Sequence, residues 1–322
     1  MTLRAYAPAS IGNFAAGFDL MGAALAPLDG TLWGDVVTAE SAAEVGLTTS
    51  GPHAGDLPVD PWQNLVLRTF ALYREALRIR GLACPALAFH LEKRLPRCSG
   101  LGSSASSVAA TLTACQALMG HPLSSAEMFG VAGRAEGLVS GSVHLDNVVP
   151  SLAGGLQLLV PGVNGAQEAR SLPWPDDLVL ALVSPAFELA TERARRVLPR
   201  EFSLAATLAF AQNLAGFVHA LESGDRALLR RCLRDVLAEP YRAPLVPGFR
   251  AAQAAALAAG ALGCTLSGAG PALFAVAESR EQGAAVMVAI QRALAVAGLS
   301  SEAHLCRLDR RGSRVLAEGE PA

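Results

Sequence analysis

Residues 95–110 read LPRCSGLGSSASSVAA. Two glycines, Gly100 and Gly102, and two hydroxyls, Ser103 and Ser104, stand directly before an alanine-rich run that reaches Met119 with no internal Gly or Pro. That run is a good helix former, because alanine gives up no side-chain freedom and nothing interrupts the backbone ladder. A glycine loop feeding a helix start gathers free backbone N–H groups at the positive end of the helix dipole, and phosphate is the commonest occupant of such a cradle. A Walker loop is excluded, because no Lys stands where G-x-x-x-x-G-K-[ST] requires one. Gly100, Gly102 and Ala105 fit a dinucleotide G-x-G-x-x-A, but the expected strand at 86–91 is separated from the glycines by residues 92–99. The acidic strand end that fingerprint needs about 20 residues further on is also missing. The third reading is a Gly/Ser-capped helix with no ligand.

At 322 residues the chain is long enough for two domains. A hydrophobic content of 52% with 17% charged residues suits a compact chain with a large core. The net charge is −2, with no basic stripe and no interleaved aromatics, which argues against a nucleic-acid partner. A few placed arginines would still serve an anionic substrate. The apolar stretch 251–264 is interrupted by Gln253, Gly260 and Gly263 and is short for a membrane span. The first residues, MTLRAYAPAS, lack the apolar core of an export signal. The six cysteines are scattered with no C-x-x-C pair, so buried thiols in the cytoplasm are expected, Cys98 in the glycine loop being the exception. No His/Cys cluster has zinc spacing.

In chain order, strands are expected at 3–7, 21–26, 32–40, 86–91, 153–160 and 178–183. Residues 8–19, with Asn13 and Asp19, form a polar glycine loop. Residues 44–58 read as irregular, and Pro61 opens a helix to Arg80 with Asn64 in its first turn. Ser124 and Glu127 form a capping box for a helix to about Gly137. Glu136 falls near that helix's C-terminus, where the dipole disfavours a carboxylate, a hint that it holds a cation. Residues 140–147, SGSVHLDN, bring an imidazole, a carboxylate and an amide together in one loop, either as an Asx turn beside a surface histidine or as a functional loop. The Pro/Gly-punctuated stretch 161–175 divides the chain into 1–160 and 161–322. Beyond it come a helix with Thr191 as its N-cap and Arg195 on the same face, helices at 204–221 and 225–237, and an alanine-rich helix after Pro247. A strand–turn–strand follows around Ser267–Pro271, then a helix at 279–297, an edge strand at 304–308 and a polar tail.

Three of these loops, 8–19, 96–106 and 267–271, resemble in order and spacing the three motifs of the GHMP kinases, and P-x-x-x-G-L-G-S-S-A is matched at every fixed position from Pro96 to Ala105. APASIGNFAAGFDLMGAAL, SGSVHLDNV, AEPYRAPLVPGF and SGAGPALFA are similar to the homoserine kinases within that family, across nearly the whole chain. The resemblance implies an α+β fold of two domains, an ATP-binding domain at 1–160 and a C-terminal domain at 161–322, with the active site in the cleft between them. It implies ATP and Mg²⁺ as cofactors and L-homoserine as the small-molecule substrate, and suggests a homodimer. By the same resemblance Pro96, Arg97, Cys98, Ser99, Gly100, Leu101, Gly102, Ser103, Ser104, Ala105 and Ser106 wrap the ATP phosphates, Asn64 contacts adenine, and Ser104 with Glu136 holds Mg²⁺. Asn13, Asp19, His144, Asn147, Thr191, Arg195 and Arg242 match the homoserine pocket, and Gly268 joins it from the 267–271 turn. Arginine forks suit the substrate carboxylate and Asp19 suits its ammonium. Asn147 is expected to aim the hydroxyl, while Asp146 stands where other members of the family carry a catalytic Asp. Ala15–Ala16 and Ala269 are small-for-small departures from the family pattern. Two rivals remain: another small-molecule kinase of the family, and a non-catalytic nucleotide-binding regulator on the same scaffold.

Overall fold

The computed structural model describes residues 2–141, 143–163, 167–317 and 319–320. Ser142 and residues 164–166, within two of the stretches read above, lie outside them. The first half runs β1 (Thr2–Pro8), β2 (Ser10–Gly12), β3 (Met21–Pro27), β4 (Gly34–Ser41), β5 (Gly46–Ser50), α1 (Leu65–Ile79), β6 (Leu87–Glu92), α2 (Ser103–Leu118), α3 (Ser125–Ser140), α4 (Val148–Ala153) and β7 (Leu156–Pro161). The second runs β8 (Gln167–Leu172), β9 (Val179–Pro185), α5 (Thr191–Arg196), α6 (Leu204–Ser223), α7 (Arg226–Cys232), α8 (Glu239–Arg242), α9 (Phe249–Ala258), β10 (Gly263–Leu266), β11 (Leu273–Ala277), α10 (Arg280–Val296), β12 (Ser301–Leu308) and β13 (Arg314–Val315).

The strands form two sheets. The first has the order β13-β1-β4-β6-β5. Helix α2 lies across its β1 and β4, with α1, α3 and α4 packed against α2. Val37, Phe70, Phe89, Leu91, Val108 and Leu112 fill the space between these layers. Helix α2 is buried nearly all round, which explains why its sequence is Ala-rich rather than amphipathic: small side chains let sheet and helices approach it from every side. The second sheet has the order β10-β11-β9-β12-β3-β7-β8, with β2 on the flank of β3, and all its pairings are antiparallel. Its strands β3, β9, β10 and β11 are buried on both faces. Along β11, Phe274 and Val276 face the core that holds Phe14, Trp174 and Phe217, while Leu273 and Ala275 face the core under α9 and α10. A strand covered on both sides has no polar alternation, hence the continuous LFAVA. This sheet takes β2, β3 and β7 from before residue 161 and β8 to β12 from after it. Helix α6 is long and apolar enough, by length and composition, to cross a membrane; here its Phe217, Ala220 and Leu221 join the core around Phe14.

Several elements differ from the sequence expectation. Residues 46–50, read as irregular, pair in parallel with β6, and 167–172, read as connector, pairs with β7. Residues 148–153, of which only Ala153 falls in the expected strand 153–160, form the short helix α4. Strand β12 is not an edge: it lies between β9 and β3. The expected tail returns as β13 on β1 and buries Leu316 against Tyr6 and Val36. Helix α7 stops at Cys232 because Asp235 accepts the amides of Leu237, Ala238 and Glu239 and starts α8 instead.

Candidate active site

A cavity of about 400 Å³ opens where the loops after β2, before α2 and before α4 meet α5 and the β10–β11 turn. That size suits a small ligand. Its floor is the glycine loop. Positive φ angles occur at alternate residues, Cys98 (53°), Gly100 (83°) and Gly102 (63°). Alternating hand turns successive backbone N–H groups toward one point, the nest geometry that holds anions. The carbonyls of residues 98–101 are occupied from behind: Leu189 N–H donates to Cys98 O, Ala272 N–H to Ser99 O, the Ser267 hydroxyl to Gly100 O, and Ser10 N–H to Leu101 O. Gly100 is required here, since a Cβ would stand 2.6 Å from Ser267 O. Gly102 is the N-cap of α2 and has no side chain to cap it, so the amides of the first turn keep their capacity for a ligand.

The members of the expected phosphate loop divide. Arg97, Cys98, Ser99, Gly100, Gly102, Ser103 and Ser104 line the cavity. Leu101 and Ala105 are core residues. The Ser106 amide is committed to Gly102 O, and its hydroxyl donates to Ala7 O and accepts from Asp35 N–H, so Ser106 fastens the helix to the first sheet. Pro96 has no N–H to give and does not line the cavity. Asn64 lines it, as the N-cap of α1 and not within its first turn: residues 61–63 form a separate 3₁₀ turn, and Asn64 Oδ1 accepts from Val66 N–H at 2.9 Å.

Ser104 donates to Glu136 Oε2 at 2.9 Å, joining the start of α2 to the last turns of α3. Burial pushes the Glu136 carboxyl from its usual 4.5 up to about 7, against the pull of the Ser104 bond, with Asp146 raising it further. Burial also carries Asp146 from 3.8 to about 6, with Asp19 adding to the rise. Asp146 Oδ2 accepts from Asn13 N–H at 2.9 Å, and Asn13 Oδ1 accepts from Asp19 N–H at 2.8 Å, which ties the 8–19 loop to the 143–147 loop.

The far wall is cationic. Arg195 forks onto Asp19, Nη1 to Oδ2 at 3.1 Å and Nη2 to Oδ1 at 2.7 Å. Asp19, expected as a free anion, is therefore clamped, and it does not itself line the cavity. Arg195 Nη2 also lies 3.0 Å from His144 Nδ1; because a guanidinium only donates, Nδ1 accepts and the imidazole proton sits on Nε2. Burial and the nearby Arg195 lower the His144 pKa. Thr191 and Arg195 share the cavity face of α5 as their spacing requires, but Thr191 is the first helical residue and Ala190 the N-cap. Arg242 is 1% exposed. Its Nε donates to Ala194 O and its Nη1 to Gly268 O, both at 3.2 Å, and its Nη2 has no hydrogen-bond partner among the described residues. Gly268 also donates its N–H to Gly12 O.

Sequence reasoning missed Lys93. It is 2% exposed, lines the cavity, and donates to Asp35 Oδ2, to Ser103 O at 2.8 Å and to Ser107 Oγ at 3.0 Å. Asp35 meanwhile accepts the amides of Arg94 and Leu95 through Oδ1. A buried lysine just before the glycine loop was the available signal. It reads as an ordinary strand-end charge because its partner lies 58 residues earlier.

Two family models match, GHMP kinases N terminal domain over residues 64–155 and GHMP kinases C terminal over 217–296, one on each side of residues 161–175. Among solved structures, the chain is similar to homoserine kinase from Cytophaga hutchinsonii, with 32% identity, 98% of this chain and 97% of that chain covered, and a TM-score of 0.88. It is similar in fold to L. major mevalonate kinase in complex with R-mevalonate, at 17% identity, 94% and 95% coverage and a TM-score of 0.66. It is also similar in fold to Streptococcus pneumoniae phosphomevalonate kinase, at 14% identity, 95% and 99% coverage and a TM-score of 0.67. Full-length similarity to the first, both matched regions and the two-part α+β architecture agree: the chain belongs to the GHMP kinases and is an ATP-dependent small-molecule kinase.

Proposed function

We propose that this chain phosphorylates the side-chain hydroxyl of L-homoserine, giving O-phospho-L-homoserine and ADP. The observation that carries the reading is Arg242: a buried guanidinium with Nη2 unpartnered among the described residues, in the wall of the cavity that also holds the anion nest. A buried cation with a spare donor calls for an anionic partner, and the carboxylate of an amino-acid substrate supplies one. Arg195, fixed by Asp19, adds a second guanidinium to the same cavity. Similarity to a solved homoserine kinase at 32% identity supports the same substrate.

In this reading the amides of residues 98–104 hold the ATP phosphates and Asn64 meets the base. Ser104 and Glu136 fit Mg²⁺: one hydroxyl and one carboxylate leave room for the phosphate and water oxygens that this ion keeps. Burial that resists the Glu136 charge is offset once a cation is there. Bound, the ion would neutralise charge building on the transferred group. The chain's own work is positioning, which a loose phosphoryl-transfer transition state rewards. Asn147 aims the acceptor hydroxyl, and an amide takes up no proton, so the hydroxyl attacks directly and its proton leaves late. Asp146, occupied with Asn13 N–H, holds the substrate loop. The test is ADP release with ATP and Mg²⁺ against L-homoserine, mevalonate and galactose. Turnover confined to homoserine is expected; equal or better turnover with either of the others would overturn the assignment.

A further inference from the structure

Ser10 is fully buried on β2 and belongs to neither wall of the cavity. Its main chain and side chain nevertheless reach both reacting sides. Its N–H donates to Leu101 O at 3.0 Å, inside the glycine loop. Its hydroxyl donates to Asn147 Oδ1 at 3.0 Å. Two glycines make the contact possible. A Cβ on Gly102 would stand 2.0 Å from Ser10 Oγ and 3.0 Å from Asn147 Oδ1, and a Cβ on Gly12 would stand 2.2 Å from Asn147 Nδ2. The clasp of Ser10 and Asn147 therefore fills the space that two absent side chains leave open, directly behind the start of α2.

The consequence is orientational. A carboxamide has one acceptor end and one donor end, and its two faces are nearly equal in shape. With Oδ1 held by the Ser10 hydroxyl, Nδ2 lies on the other side, over Gly12. In this orientation Asn147 meets an oxygen of the acceptor or of the phosphoryl group as a donor. We propose that Ser10 is a positioning residue that holds the Asn147 side chain in place and couples it to the phosphate loop. The proposal rests on the reading of Asn147 as the group that aims the acceptor hydroxyl. The Ser10 backbone holds the phosphate loop at Leu101 O and its side chain holds Asn147.

The test is a double-mutant cycle of Ser10→Ala and Asn147→Ala in the full-length chain, reading kcat, KM for ATP, KM for homoserine and Tm. Ser10→Ala removes a single oxygen and introduces no clash. Its kcat is expected to fall about tenfold, the worth of one hydrogen bond, with KM for ATP unchanged. In the Asn147→Ala background the same change is expected to cost less than about twofold, because it acts through the amide. Ser10→Thr, which keeps the hydroxyl, is expected to restore most of the rate. An equal fold-loss in both backgrounds, or a fall in Tm with kcat intact, overturns the role given to Ser10. An Asn147→Ala protein with wild-type kcat overturns the role of Asn147 itself, and that of Ser10 with it.

Discussion

Asn147 and Asp146 are neighbours in sequence with different partners. Both line the cavity, Asp146 with Oδ2 accepting from the Asn13 amide and Asn147 with Oδ1 accepting from the Ser10 hydroxyl. Asn147→Ala is therefore expected to lower kcat by about 10²–10³ with little change in KM for ATP, a loss confined to the transition state. If Asp146→Asn abolished turnover while Asn147→Ala kept it, an aspartate base would be the better mechanism. Glu136 gives a pH prediction. Burial raises its folded-state pKa from 4.5 to about 7, so between those values the folded protein binds more protons than the unfolded chain and stability falls as pH rises. The metal-free protein is expected to lose Tm from about pH 5 to pH 7.5, and Glu136→Gln to flatten that loss, because the amide carries no charge to bury. A Glu136→Gln protein with the same pH slope as wild type would show that the carboxylate is not so strained. At this scale the sequence was partly legible. Ser104, Glu136, Arg195 and Arg242 stood in recognisable patterns. Lys93 and Ser10 did not, because what makes each special is a partner far along the chain, Asp35 for one and Asn147 for the other.

The glycine loop and α2 act as one element. The loop is held from below by Ser10, Leu189, Ser267 and Ala272 through successive carbonyls, and from the side by the Lys93–Asp35 pair, so its amides face the cavity without a ligand to organise them. Gly102→Ala places a methyl 2.0 Å from Ser10 Oγ on a residue with φ of 63°. It is expected to cost about 1–3 kcal/mol of stability and to raise KM for ATP at least tenfold, measured by thermal melting and steady-state kinetics. Wild-type KM in a folded Gly102→Ala protein would remove the loop from nucleotide binding. This element was readable beforehand because its signals are local: paired glycines, hydroxyls, then an unbroken alanine run. Strands β5 and β8 were not, since GLTTS and QEARSL are half exposed and their pairing partners, not their own composition, make them strands. Helix α4 was hidden by its six-residue length and Pro150.

At the scale of the molecule, the second sheet decides how the halves depend on each other. Strand β3 pairs with β12 through residues 25–27 and with β7 through residues 21–23, and Phe14 from the 8–19 loop stacks on Phe274 at 4.8 Å and meets Trp174 edge-on at 5.3 Å. Residues 161–322 alone would expose these faces, so thermal unfolding of the full chain is expected to be a single transition that nucleotide shifts as a whole. Two separable transitions, only one of them sensitive to nucleotide, would contradict this. Composition gave no sign of such interleaving, because the pairing of β3 with β12 joins residues 25–27 to residues 306–308. The same continuity brings an anion nest from the first half and a buried Arg242 from the second into one cavity, the pairing on which the proposed acceptor rests. The most direct measurement compares kcat/KM for L-homoserine with that for 3-aminopropan-1-ol, which lacks only the carboxylate, in wild-type protein and in Arg242→Ala. Wild type is expected to prefer homoserine by about 10²-fold or more, a charge-assisted contact's worth, and Arg242→Ala to lose most of that preference while keeping its KM for ATP. An Arg242→Ala protein that still discriminates as wild type does would contradict it.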